Sequence, residues 1–291
     1  MRSGRALAWV FSLSCLAVLP SVGATGDAKP VSTETMRQYT ELMRGLNTPQ
    51  EVMQRLIETR WHKRVGGELG EYLDTQIVET GPVARDVVLS EYTAGSPEIR
   101  KRVLELYAGR WHQYVGGVDP MMNVLVAREL RNADPATRRI AGRIIAENAL
   151  PGIANMAIDA AIEYPEIEVA VLRSILNSRD TVGSRWAIGR LASRDPQVRQ
   201  AALGAIWATS SQAAPLLRVQ LEQSDLALQE QAIEGLLVVA SRQDVDRLSI
   251  WLEHHPDHRL TDRVASVIAA LQAGSFRSEP PRLVPFPPDS P

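Results

Sequence analysis

One cysteine, Cys15, occurs in 291 residues, and aromatic side chains make up only 5% of them. If Cys15 is removed with the apolar leader that holds it, no thiol is left, and disulfides, thiolate zinc sites and thiol catalysis are excluded together. The formal charge of −2 excludes a strongly basic nucleic-acid protein. With 19 glycines and 18 prolines, the chain is not collagen-like or wholly low in complexity. It carries no Gly-x-Ser-x-Gly elbow, His-Glu-x-x-His zinc helix or Gly-x-x-x-x-Gly-Lys phosphate loop. Strand-like alternation is almost missing. No apolar run after residue 19 approaches the ~20 residues that cross a bilayer.

The one sustained apolar run lies at the start. Arg2 and Arg5 precede Ala6 to Leu19, Pro20 breaks the run, and Val22-Gly23-Ala24 follows. This layout predicts a secretory signal peptide over residues 1–24, cleaved after Ala24. Lipid attachment to Cys15 is disfavoured, because Ser12 stands where a lipobox carries leucine and apolar residues continue past the cysteine. Cleavage leaves 30 basic and 34 acidic groups and no thiol. An exported, periplasmic protein held together by its core is the expectation.

A repeat occupies the middle. Asp134-Pro135-Ala-Thr-Arg138-Arg-Ile-Ala141 returns as Asp195-Pro196-Gln-Val-Arg199-Gln-Ala-Ala202. Weaker copies start at Tyr164-Pro165 and Asp225-Leu226, with related starts at Ser96-Pro97 and His255-Pro256. The aligned positions Ala141, Val171, Ala202 and Ala232 are 30, 31 and 30 residues apart. Asp or Ser reads as a helix N-cap, with Pro in the first turn. A second amphipathic helix follows in each unit, over Ile153–Ile162, Val182–Leu191, Leu216–Leu221 and Val245–Leu252. One such pair cannot bury its own apolar face, so pairs must stack.

The Asp-Pro-x-x-Arg-x-x-Ala units resemble HEAT-like repeats, in the short-period form associated with phycobilisome lyase subunits. The resemblance implies an all-α fold, an α-solenoid of stacked antiparallel helix pairs. The expected division is an N-terminal helical region over 25–95, the repeat solenoid over 96–274 and a tail over 275–291. Six of the 17 tail residues are proline, which predicts disorder there.

The N-terminal third carries a longer repetition. Arg60-Trp61-His62-Lys-Arg-Val65-Gly66-Gly67 returns fifty residues later as Arg110-Trp111-His112-Gln-Tyr-Val115-Gly116-Gly117. The expected role is a structural corner: Trp packs between units, His binds a backbone group and the glycine pair stops the helix. Stacked units hold equivalent positions at least ~8–10 Å apart, too far for His62 and His112 to share a metal ion. His254-His255-Pro256-Asp257-His258 is dense in potential ligands, but Pro256 breaks the helix that would align His254 with His258. Whether these three bind metal is left open. Asp159 and Glu163 fall one turn apart and read as a ridge rather than a glycosidase pair. Trp186, Trp207 and Trp251 read as core.

Residues 97–143 hold nine basic and five acidic groups, whereas 200–263 hold five and nine. Such a dipole orients a partner without identifying it. No catalytic residue, metal or other cofactor is assigned. The expected function is a scaffold or adaptor that binds a protein or extended peptide on its second helices. The candidate contacts are Arg128, Arg131, Asn155, Asp159, Arg185, Arg190, Arg218, Glu222 and Arg247. The resemblance also allows a second role, a lyase-like or chaperone-like subunit. Nucleic acid and stable membrane insertion are not expected, and the oligomeric state is left open.

Overall fold

The computed structural model describes residues 30–80, 85–108, 120–148 and 152–281. Among them there is no strand. The expected signal peptide, the corner residues Trp111, His112, Gly116 and Gly117, and the last ten tail residues lie outside this set.

The helices are α1 (Thr33–Leu42), α2 (Pro49–Ile57), α3 (Gly67–Thr80), α4 (Arg85–Ala94), α5 (Pro97–Leu106), α6 (Pro120–Glu129), α7 (Pro135–Glu147) and α8 (Ala154–Glu163). They continue with α9 (Glu168–Ser178), α10 (Ser184–Arg190), α11 (Pro196–Ala208), α12 (Ser210–Leu221), α13 (Leu226–Val239), α14 (Val245–His254) and α15 (Thr261–Ala273). Packing follows the order of the chain. The first helices of successive units, α5, α7, α9, α11, α13 and α15, each lie against the next in one row. In a second row α6 packs on α8 and α10 on α12, and each second helix also lies against the first helix of the next unit. Ala141, Val171, Ala202 and Ala232 are fully buried, where their small or branched side chains let the first helices approach closely.

The repeat motif is a lock on the turn between units. Asp134 caps α7 by accepting from Ala136 N and Thr137 N, both at 3.1 Å. Four residues on, Arg138 reaches back with Nη1 to the carbonyls of Asn132 and Ala133, at 2.6 and 3.1 Å. Asp195 and Arg199 repeat this: the cap accepts from Gln197 N at 2.8 Å and the guanidinium donates to Ser193 O at 2.7 Å. In the third copy Gln229 replaces arginine and donates to Gln223 O at 2.7 Å. The turn carbonyls that a helix cannot satisfy thus find a donor from inside the next helix. At Tyr164-Pro165 the lock is inverted. Glu168 takes the arginine position and accepts from Arg190 Nη1 at 2.6 Å.

The first Arg-Trp-His corner differs from its expected wiring. Trp61 is buried as expected, but His62 Nε2 meets the Glu91 carboxylate at 3.1 Å. Arg60 binds the backbone instead, donating to Val65 O at 2.8 Å while clamping Asp74 at 2.9 and 2.7 Å. The guanidinium reaches both groups at once, which the shorter imidazole cannot. Nor does the glycine pair act as a pair. Arg64 and Gly67 hold left-handed φ values of 56° and 64°, whereas Gly66 does not. Gly67→Ala should therefore cost about 1 kcal/mol. Gly66→Ala, with open space around its Cβ, should leave the melting temperature nearly unchanged. Thermal denaturation of the two variants side by side checks this.

Past Gly274 the chain stays in contact for several residues. Phe276 is half-buried against the core, and Ser278 Oγ donates to Val238 O at 2.7 Å.

Candidate binding surface

The second helices carry the candidate contacts, and the structure divides them into two groups. Arg128, Arg131, Asn155, Asp159, Arg185, Glu222 and Arg247 are exposed. Arg131 lies between Asp159 and Glu163, at 3.9 and 3.7 Å, so the carboxylate pair one turn apart on α8 faces a guanidinium from the preceding unit. Arg247 of α14 reaches Glu222 at the end of α12 at 3.4 Å.

Arg190 and Arg218 are ties within the packing. Arg190 donates to Glu168 on α9 and lies over the Trp186 ring at 5.2 Å. Arg218 clamps Asp244 with Nε at 2.6 Å and Nη2 at 3.1 Å. Asp244 is wholly buried and also accepts from Ser241 N and Oγ at 2.8 and 3.0 Å. Burial pushes its carboxyl up, but the guanidinium and the Ser241 donors outweigh burial and hold it below the usual range. The positions of Arg190 and Arg218 on α10 and α12 do not reveal this, because each partner lies on a different element more than twenty residues away.

The sequence reading missed an apolar component. Val124 on α6, Met156 and Ile162 on α8, Val219 on α12 and Ile250 on α14 are all exposed, Ile162 by 64% and Val219 by 60%. A signal was available on α8. Its buried face is alanine throughout (Ala154, Ala157, Ala160, Ala161), and its larger apolar residues Met156 and Ile162 fall outside that face. Ile158 is half-buried against the core, so two of the three large apolar side chains of α8 point outward while its fully buried positions are alanine.

At the far end of this row a groove of about 670 Å³ opens between α12, the start of α13 and α14. Leu226, Ile250 and Trp251 line it, with Glu222, Arg247 and His254 among its polar walls. No family model matches the chain, and no curated protein or solved structure matches it either.

The three nearby histidines have tautomers set by their partners. The Nδ1 atoms of His254 and His255 face the carbonyls of Ile250 and Trp251 at 2.7 and 2.9 Å, so each carries its proton there. His258 Nε2 donates to Glu230 at 2.7 Å while its Nδ1 accepts from Leu260 N at 3.2 Å. That leaves His258 no lone pair for a metal ion. Among the described residues no group of three or more His, Cys, Asp or Glu is placed to hold one. Also among the described residues, no helix is long and apolar enough to cross a membrane. Trp251 is buried, and Trp186 and Trp207 are half-buried against the core.

Proposed function

We infer that this is an exported HEAT-like α-solenoid whose second-helix row binds a protein or extended peptide. The observation that carries the reading is the exposed apolar series Val124, Met156, Ile162, Val219 and Ile250. Single exposed apolar residues are ordinary on any surface. Here they recur on four of the five second helices, α6, α8, α12 and α14, among Arg128, Arg131, Asp159, Arg185 and Arg247. Apolar anchors ringed by charge are the usual make-up of a protein interface. The two-row packing and the 30-residue spacing of buried small residues support the solenoid, and the tripartite start supports export. Recognition is non-covalent in this reading: the apolar positions supply affinity and the charges supply orientation and rate.

The test is affinity capture from a periplasmic extract, with the native chain and an Ile162→Asp/Val219→Asp variant as parallel baits. A specific partner should be held by the first and reduced at least about tenfold on the second, as loss of central anchors worth ~1–2 kcal/mol implies. Melting temperatures should agree within a few degrees, because both positions are exposed. Retention of the same partners by both baits would overturn the reading. Capture should also weaken with salt, since charges separated by more than ~8 Å are screened at physiological ionic strength.

A further inference from the structure

We propose that the partner segment bound by the second-helix row is acidic and seats a bulky apolar side chain over Gly189 of α10. This rests on the partner-binding reading and narrows it to one place and one chemistry.

The charges at α10 are of one sign. Residues 179–195 hold four arginines and two aspartates. Both aspartates are helix caps: Asp180 accepts from Val182 N at 3.0 Å and Asp195 from Gln197 N at 2.8 Å. Arg190 is engaged with Glu168. Arg179, Arg185 and Arg194 are exposed and make no ion pair among the described residues. Arg185 stands four residues before Gly189, which makes the two positions neighbours on the helix surface. Arg179 and Arg194 lie in the turns at the two ends of α10. By contrast, Arg131 is met by Asp159 and Glu163, and Arg247 by Glu222. Aspartate or glutamate in the partner segment supplies the anions that α10 lacks, and so sets its orientation and speeds its arrival.

The row also has a gap at this place. Arg128, Asp159, Gly189, Val219 and Ile250 follow one another at intervals of 31, 30, 30 and 31 residues, one on each second helix. All five are exposed, and each stands two residues past a fully buried side chain, so they share one register. Gly189 alone projects nothing. A Cβ at this position would meet no atom within 4 Å. The turn Thr181–Gly183 packs on α8, and α10 packs on α12. The gap therefore lies between the helices that carry the exposed Ile162 and Val219, and Val182 in the turn is itself 55% exposed. A bulky apolar side chain from the partner has room over Gly189 and apolar neighbours on both flanking helices, as an interface anchor requires.

The test pans a random peptide library against the full chain. The native protein should select peptides in which a bulky apolar residue is flanked by Asp or Glu. Arg179→Glu/Arg185→Glu/Arg194→Glu should instead select basic peptides, a reversal that no loss of folding can mimic. The affinity of a selected acidic peptide, read by fluorescence anisotropy, should fall at least about tenfold with Gly189→Trp, which fills the gap. The melting temperature of that variant should hold or rise, because glycine is a poor helix former and the space around it is open. Ile250→Asp, at the far end of the row, should leave the affinity within about twofold of native. Peptides lost with Ile162→Asp/Val219→Asp that still bind Gly189→Trp as tightly as native would overturn the assignment to α10 and leave the wider row standing. So would selected peptides without acidic residues. Selection of no peptide at all would overturn both readings. Equal competition by heparin, a polyanion with no apolar anchor, would show recognition of charge alone and overturn the commitment to a peptide.

Discussion

Replacing Arg218 with alanine should destabilise the protein by about 3–5 kcal/mol at neutral pH, because it strands a wholly buried carboxylate. Asp244 would keep only the two Ser241 donors. In the native chain Asp244 is held below its ordinary range. Its contribution is therefore complete above about pH 4, the unfolded value, and is lost as the pH falls through the lower folded value. Without Arg218 the balance reverses, since burial alone disfavours the anion and raises the folded value above the unfolded one. The deficit of Arg218→Ala should thus narrow as the pH falls from 7 toward 4, where the native protein is still at full strength. Urea denaturation of both chains across that window measures it. A double replacement, Arg218→Met with Asp244→Leu, should recover much of the loss, because an apolar pair of similar volume incurs no charge desolvation. A constant deficit from pH 7 to 4 would show that the guanidinium acts through packing and not through the charge of Asp244.

The second large effect is expected at Arg138. Its side chain is 10% exposed and serves four groups: the carbonyls of Asn132 and Ala133, Glu166 at 2.8 and 2.5 Å, and the Tyr164 ring at 4.2 Å. Arg138→Ala leaves two turn carbonyls without their donor and should cost about 2–3 kcal/mol. Lysine keeps the charge but cannot place several donors in one plane, so Arg138→Lys should recover less than half of the loss. Arg139, next along the helix, is exposed with one long contact to Pro135 O at 3.4 Å. Arg139→Ala should change stability by less than about 0.5 kcal/mol. Chemical denaturation of the three variants separates an arginine that locks a turn from one that merely decorates a helix.

The Asp cap and the arginine four residues on could be read from the sequence because both act on their own turn, where spacing dictates contact. Helix existence was legible for the same reason. Less legible was α12, expected from Leu216 and observed from Ser210, because Pro215 reads as a breaker. Pro215 is the sixth residue of this helix, past the first turn, and the helix runs on through it although the amide bond to Ser211 O is lost. The directions of Arg190 and Arg218 were hidden. Periodicity assigns a residue to a helix face, but not to the neighbour that face meets when the partner lies in another element. The exposed apolar row was overlooked because large apolar residues at helical spacing read as core. Only the run of alanines on the inner face of α8 marks them as outward.

The locks also bear on how the molecule yields to force. Arg138–Glu166, Arg190–Glu168 and Arg218–Asp244 span 28, 22 and 26 residues, so each ties an element only to one close along the chain. No tie among these reaches from one end of the row to the other. A pull applied at the two ends would load the terminal contacts first and detach one helix pair before straining the next. Under optical tweezers such a chain lengthens in successive small steps at modest force, and on slackening it rewinds quickly, because every lost contact is local.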